Sequence, residues 1–254
     1  MRLTLLGTGD AGGMPRYGCQ CVRCTLIRQQ PEHRRRSTCA LLEWGDQRYL
    51  IDAGFMDIAE RFPAPSLNGV LLTHFHADHV QGLFHLRWGS DTRIQVYCPP
   101  DSHGCDDLFK HPGILDFNPL KKFAPIQLEG LTITALPMIH SKPTFGYLFE
   151  QGEQRIAYLT DTRDLPPAVI ERLTQQSLDA MIIDTTAPPH TENRNHNNLD
   201  VTLRLHQQIQ PRRTLLTHIG HDMDIWLSKS AHTLPDNVLA GYDGLTLDDS
   251  NLSN

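Results

Sequence analysis

The chain has 254 residues, and its 39% hydrophobic and 20% charged content is ordinary for a globular protein. A net charge of −6, with histidines counted as neutral, excludes a general basic surface of the kind that holds nucleic acid. No apolar run approaches the ~20 residues that a membrane-spanning helix needs. The amino terminus lacks the apolar stretch and cleavage site of a secretory signal. We therefore expect a cytoplasmic protein whose six cysteines are reduced.

Strand-like and helix-like segments follow one another along the chain, most of them short and bounded by Gly, Pro, Asp or Asn. The predicted strands are residues 3–6, 38–44, 48–52, 69–73, 95–98, 126–128, 131–136, 144–150, 155–160, 180–184, 213–217 and 245–247. The predicted helices are residues 21–30, 55–61, 78–85, 103–110, 166–175, 198–210 and 222–230. Because no linker, repeat or low-complexity tract separates these segments, residues 1–254 are predicted to form one mixed α/β domain.

The segment from His74 to His79 contains three histidines and one aspartate, directly after the apolar residues 69–72. Imidazole and carboxylate are the ligands that borderline divalent metals prefer. Since a strand places residues i and i+2 on one face, His74 and His76 can bind one ion together. Asp78 and His79 would begin a helix and can reach a second ion. The spacing favours a two-metal hydrolytic centre over a surface histidine cluster or a structural ion.

Further candidate ligands stand where later apolar strands end. His140 follows the strand 131–136 and the turn-prone Pro137, Asp161 ends the strand 155–160, and His218 ends the strand 213–217. Each alone is typical of a turn or cap, but three in this order after the first motif favour one metal centre. Asp52, at the end of another strand, is interpreted as a carboxylate that orients a ligand histidine, with a simple turn residue as the alternative.

A second metal signature is formed by Cys19, Cys21 and Cys24. Three thiolates within six residues can close on one tetrahedral zinc ion if a fourth ligand is present. The spacing alone leaves His33, Cys39 and His221 as candidates for that ligand. Three buried reduced cysteines and a redox dithiol are the alternatives.

The block from Thr73 to His79 resembles the HxHxDH signature of the metallo-β-lactamase superfamily. That resemblance implies an αββα sandwich, in which two mixed β-sheets are flanked by helices. It also implies that His74, His76 and His140 hold one metal. A second metal would be held by Asp78, His79 and His218, with Asp161 as the bridging carboxylate.

From about residue 5 to residue 244 the chain is similar to the PhnP family, the phosphodiesterases of the carbon–phosphorus lyase pathway. The similarity lies in the cysteine motif, in residues 73–83 and 104–113, and in Asn195 and His196. It implies a dimanganese centre, with other divalent metals as possible occupants, and a structural zinc on Cys19, Cys21, Cys24 and His221. It further implies a homodimer that takes part in phosphonate catabolism.

The substrate that the resemblance implies is 5-phospho-α-D-ribosyl 1,2-cyclic phosphate, a small cyclic phosphodiester that is hydrolysed to ribose 1,5-bisphosphate. Aryl phosphodiesters and 2′,3′-cyclic nucleotides would also be cleaved. In the mechanism that we expect, a metal-bridging hydroxide attacks phosphorus, and Asp78 and Asp161 can accept its hydrogen bond. His196 would be the general acid for the leaving oxygen, and a role in substrate positioning alone is the alternative.

The residues that bind the rest of the substrate are not assigned from the sequence. The basic run 34–36 is interpreted as a solvated face, although arginines could bind a terminal phosphate. Ser141, Lys142 and Thr144 follow His140 and could also approach a phosphate. Competing functions are a tRNA 3′-processing endonuclease, a thioester or lactone hydrolase of the same fold, and a non-catalytic metal-binding scaffold. The first lacks support because no long basic insertion is present.

Overall fold

The structure is a computed structural model, and it describes residues 1–248. The strands of its first half are β1 (Arg2–Gly7), β2 (Cys39–Trp44), β3 (Gln47–Ile51), β4 (Gly69–Leu71), β5 (Ile94–Cys98) and β6 (Leu115–Pro119). Those of its second half are β7 (Pro125–Leu128), β8 (Leu131–Pro137), β9 (Phe145–Gln151), β10 (Gln154–Leu159), β11 (Ala180–Asp184), β12 (Arg213–Thr217), β13 (Val238–Ala240) and β14 (Thr246–Leu247).

Helices lie on the outer faces of the strands. They are α1 (Val22–Gln29), α2 (Ile58–Arg61), α3 (Ala77–Leu86), α4 (Asp106–Lys110), α5 (Pro167–Thr174), α6 (Leu199–Ile209) and α7 (His221–Ser230). Short 3-10 helices occupy Pro31–His33 and Ala231–Thr233. Asn198 caps α6 by accepting a hydrogen bond from the Val201 amide. No helix within residues 1–248 is long and apolar enough to cross a membrane.

Two seven-stranded sheets of the described residues stack face to face. One has the order β14-β1-β2-β3-β4-β5-β6 and the other β13-β12-β11-β10-β9-β8-β7. In β11, Ala180 and Ile182 pack into the core between the sheets, while Met181 and Ile183 pack against the cluster that includes α5 and α6. This alternation follows from the period of two in a strand. The predicted αββα sandwich with two mixed sheets is confirmed.

The directions of the strands determine where polar groups collect. Strands β3 to β6 pair in parallel, and so do β10 to β13, whereas the remaining pairs are antiparallel. The carboxyl ends of parallel neighbours lie at the same edge of a sheet, where ligands commonly bind. The loops after β3, β4, β10, β11 and β12 therefore meet at one end of the sandwich.

Two observed strands, β6 and β13, are absent from the sequence prediction. Both lie at sheet edges, and neither has a local pattern that identifies it. The first contains Asp116, Asn118 and Pro119, which are uncommon in strands, and the second has only three residues. Edge strands bury less surface than central ones, so their hydrophobic pattern is weaker.

Candidate metal centre

Three histidines form the first cluster at the end of the sandwich. The Nε2 atom of His74 lies 2.8 Å from Nδ1 of His76, and Nε2 of His140 lies 3.1 Å from that same Nδ1. Burial lowers the pKa of all three imidazoles. Neutral rings have lone pairs available, and this is the form in which histidine binds a metal.

The second cluster consists of Asp78, His79 and His218. Their ligand atoms lie within 4.8 Å of one another, and His79 Nε2 is 3.2 Å from Asp78 Oδ2. Among the described residues, neither His79 Nε2 nor His218 Nε2 has a hydrogen-bond partner, although both atoms are buried. Buried polar atoms are normally paired. Two orphaned imidazole nitrogens beside a carboxylate therefore fit a divalent metal ion.

Asp161 lies between the two clusters. Its Oδ2 atom is 3.6 Å from His74 Nε2 and 3.5 Å from His218 Nε2, and its Oδ1 atom is 3.4 Å from His79 Nε2. Burial alone would raise the pKa of this carboxyl, but His218, His79 and His74 hold it well below the ordinary value. The backbone of Asp161 is in the left-handed region at φ 56°, which is uncommon outside glycine and in which aspartate is among the enriched residues. The fold thus holds an ionised carboxylate where it can contact ligands of both clusters.

The other ring nitrogen of several of these histidines is held by a hydrogen bond. His79 Nδ1 donates to Asp52 Oδ2 at 2.7 Å, and Asp52 also accepts the amide and hydroxyl hydrogens of Thr73. His218 Nδ1 donates to the Thr186 hydroxyl at 2.8 Å. Such partners select the tautomer and orientation of a ligand ring. The hydrogen bond between Asp52 and His79 agrees with the expectation that Asp52 orients a ligand histidine.

His196 stands beside both clusters and is held by Asp184. The His196 ring nitrogen Nδ1 donates to Asp184 Oδ2 at 2.7 Å, and a ring nitrogen of His196 is within 4.8 Å of ligand atoms of Asp161 and His218. Asp184 was not singled out in the sequence. It ends the apolar strand β11 in the same way that Asp161 follows β10, and that signal could have identified it.

The three cysteines of the amino-terminal motif meet His221, so the structure selects one of the three candidate fourth partners. His221 Nε2 lies 3.4 Å from Cys19 Sγ and 3.5 Å from Cys21 Sγ, and Cys24 completes the group. A hydrogen bond from the Cys24 amide lowers the pKa of Cys21 to about 6. Thiolate and imidazole in this arrangement fit a tetrahedral zinc ion.

The basic run 34–36 does not form one anion site. Arg35 is buried and donates to Asp224, Thr8 and the Gly241 carbonyl, so its charge is used inside the fold. Arg36 stacks on Phe55, and Arg34 is exposed. The expectation of a solvated face is therefore wrong for Arg35, which is buried and hydrogen-bonded within the fold.

Known proteins similar to this chain differ in their described functions. The chain is 32% identical to an octanoyltransferase of Porphyromonas gingivalis over 96% of its own length, but it spans 51% of that protein. It is 28% identical to the coenzyme PQQ synthesis protein B of Methylobacterium radiotolerans over 73% of each chain. These relatives therefore do not point to one reaction.

Solved structures extend the comparison. The crystal structure of a diphosphatase from the PhnP family superimposes with a TM-score of 0.82, at 27% identity and 97% coverage of both chains. The human tRNase Z short form shares the fold at a TM-score of 0.71, with 16% identity and 98% of this chain covered. Residues 47–219 match the family described as the β-lactamase superfamily domain. The chain therefore belongs to the β-lactamase superfamily.

Proposed function

We propose that this protein is a metal-dependent phosphodiesterase that hydrolyses 5-phospho-α-D-ribosyl 1,2-cyclic phosphate to ribose 1,5-bisphosphate in phosphonate catabolism. The observation that carries the proposal is the position of Asp161, whose Oδ2 atom lies 3.6 Å from His74 Nε2 in the first cluster and 3.5 Å from His218 Nε2 in the second. A bridging carboxylate between two ligand sets is suited to a pair of ions around one phosphoryl group. The PhnP-family diphosphatase, at 27% identity over nearly the whole chain, supports phosphorus chemistry.

In this proposal one ion, which we take to be Mn²⁺ or another divalent metal, would be held by His74, His76 and His140. The other would be held by Asp78, His79 and His218, and Asp161 could serve both. When bound, two such ions lower the pKa of a water molecule and neutralise the charge of the phosphoryl oxygens. The thiolate cluster would hold a zinc ion that has no part in the reaction.

The side chains around the centre have separate tasks in the hydrolysis. The Asp78 carboxylate can accept a hydrogen bond from the attacking water and so orient it toward phosphorus. The bond between phosphorus and one sugar oxygen breaks, and that oxygen takes a proton from His196. Because Asp184 occupies Nδ1 of His196, Nε2 is the ring atom left to deliver the proton.

A diphosphate hydrolase is the second candidate. The specific reason is that the PhnP-family structure is itself described as a diphosphatase. Both reactions place charge on phosphoryl oxygens and on a leaving oxygen, so the same ligand set serves either. They differ in whether the leaving oxygen belongs to a sugar or to a second phosphate.

The test is a metal-reconstituted assay of the cyclic phosphodiester, followed by phosphorus NMR. The proposal predicts metal-dependent formation of ribose 1,5-bisphosphate that is lost in Asp78→Ala, with the fold of the variant checked by circular dichroism. A sugar diphosphate substrate is run in parallel. Turnover of the diphosphate with none of the cyclic diester, in fully metallated protein, would select the second candidate.

A further inference from the structure

A cleft opens beside the metal centre, between loops of the two sheets. Its volume is about 970 Å³, and His140 forms part of its wall. The first sheet contributes Pro100 and the segment 119–122, and the second contributes residues 137–145. The cleft is therefore continuous with the first histidine cluster, and a molecule bound at the metals can extend into it.

The charge of this cleft differs from that of the whole chain. The described residues that line it include Lys121, Lys122 and Lys142 but no aspartate or glutamate, whereas the chain as a whole carries a net charge of −6. Ser141 adds a hydroxyl group. Three lysines lining one space attract an anion rather than a neutral group.

Lys142 forms an ion pair with the Asp101 carboxylate. Asp101 Oδ1 accepts hydrogen bonds from the amides of His103 and Gly104 at 3.0 and 2.9 Å. Its Oδ2 atom is buried without a hydrogen-bond partner among the described residues and lies 3.7 Å from Lys142 Nζ. The Lys142 side chain is 28% exposed. A cation positioned before a ligand arrives loses less conformational entropy on binding.

Lys142 is close along the chain to a residue of the first histidine cluster. Lys142 follows His140 by two residues, so the two Cα atoms are at most ~7 Å apart. The Thr144 hydroxyl donates to the Lys142 carbonyl at 2.9 Å and stabilises this turn. A phosphate bound by Lys142 would thus lie beside a phosphodiester held at the first histidine cluster.

We infer that this cleft is the binding site for a second phosphate of the substrate, with Lys142 as its principal cation and Asp101 as the residue that positions Lys142. The inference rests on the proposed phosphodiesterase function, and it names the substrate class as sugar phosphodiesters that carry a phosphomonoester. Lys121 and Lys122 supply additional charge at the rim. The apolar wall, which includes Pro100, Pro119 and Met138, covers the sugar.

The experiment compares 5-phosphoribosyl 1,2-cyclic phosphate with ribosyl 1,2-cyclic phosphate, which lacks the phosphomonoester. Lys142→Ala is expected to lower the ratio of kcat/KM for these two substrates about 10- to 100-fold, since it removes a charge-assisted hydrogen bond. Most of this change in the ratio should come from a higher KM for the substrate that carries the phosphomonoester. Lys142→Arg should recover part of the ratio, and Asp101→Asn should lower it less than Lys142→Ala does. Arg34→Ala removes one exposed cation elsewhere and should leave the ratio unchanged.

An equal loss of activity toward both substrates in Lys142→Ala would overturn the inference, because the lysine would then act on the reacting group. A fall of the ratio in Arg34→Ala, with none in Lys142→Ala, would also overturn it. Calorimetric titration of the metal-loaded protein with ribose 5-phosphate provides a readout that needs no turnover. Weaker binding in Lys142→Ala supports the cleft even if neither diester is a substrate, and unchanged binding refutes it.

Discussion

The Asp184 carboxylate accepts a hydrogen bond from His196 Nδ1 at 2.7 Å, and its other oxygen accepts the Thr186 hydroxyl at 2.8 Å. Thr186 in turn holds the ring of His218. One buried carboxylate therefore orients both the proposed general acid and a proposed metal ligand. A change at His196 should therefore affect proton transfer alone, whereas a change at Asp184 can affect both proton transfer and the orientation of His218.

Replacing His196 with alanine should lower kcat about 10²- to 10⁴-fold, the range that general acid catalysis contributes. The loss should be smaller for bis(p-nitrophenyl) phosphate, because its leaving group departs without a proton. Bound metal, measured by inductively coupled plasma mass spectrometry, should equal that of the unmodified protein. A parallel loss of metal would make His196 a ligand and contradict this role.

Asp184→Asn should lower kcat about 10- to 100-fold, since the hydrogen bond from His196 then has a neutral acceptor in place of a charged one. In the double variant with His196→Ala, the two effects should not add, because both act through the same proton transfer. A steady-state cycle of the four proteins measures this directly. Additive losses would show that Asp184 acts mainly through Thr186 and His218.

Asp52→Asn should weaken metal binding about 10- to 100-fold while leaving the fold intact. The Asp52 backbone has φ 63°, and asparagine tolerates this region well, so the change removes charge without adding backbone strain. Competition with a chelator at fixed pH gives the affinity. Asp57→Asn is the control, since Asp57 pairs with Arg61 at the surface; equal weakening in both would contradict the argument.

Much of the site could be inferred from the sequence because its residues follow apolar strands. His74 and His76 lie within five residues of the end of β4, and Asp161 and His218 lie within two residues of the ends of β10 and β12. The contact between Asp101 and Lys142 joins loops from different sheets, and no local pattern encodes such a pairing. The edge strand β6 was missed for a related reason, since it buries too little surface to impose an apolar pattern.

The thiolate cluster should be a separate, structural zinc site. Among residues 1–248, the apolar cluster that includes α1 has Met14, Cys24 and Ile27 as its buried members, which is too little to hold the helix. Cys24→Ala should reduce zinc by one ion per chain and lower the free energy of unfolding by about 2.7 kcal/mol or more when free zinc exceeds its Kd 100-fold.

The matched control for this variant is Cys105→Ala. Cys105 lies directly before α4 and is not part of the thiolate cluster. Zinc content and urea unfolding are measured for both variants. The expected result is loss of zinc and stability in Cys24→Ala alone, with the metal of the proposed catalytic centre retained. Loss of the catalytic metal in the same proportion would show that the two sites are not independent.

Asp224 joins the same region to the rest of the fold through two arginines. It lies 2.6 Å from Arg23 Nε and 2.6 Å from Arg35 Nε, and its side chain is 1% exposed. Burial would raise the pKa of this carboxyl, but Arg23 and Arg35 hold it below the ordinary value. Asp224→Asn leaves two cations facing a neutral amide, and it should cost about 3–5 kcal/mol of stability at pH 7.

The pH dependence of this loss follows from the direction of the pKa. The folded pKa of Asp224 lies below the unfolded value of ~3.9, so its stabilisation is fully present above about pH 4 and is lost as the pH falls through the folded pKa. The stability difference between the unmodified protein and Asp224→Asn should therefore be constant from pH 7 to pH 5 and shrink below pH 4. Urea unfolding of both proteins at each pH measures it, and comparing the two cancels any effect of acid on the metal ligands that they share. A difference that grows on acidification would contradict the ionised state assigned to Asp224.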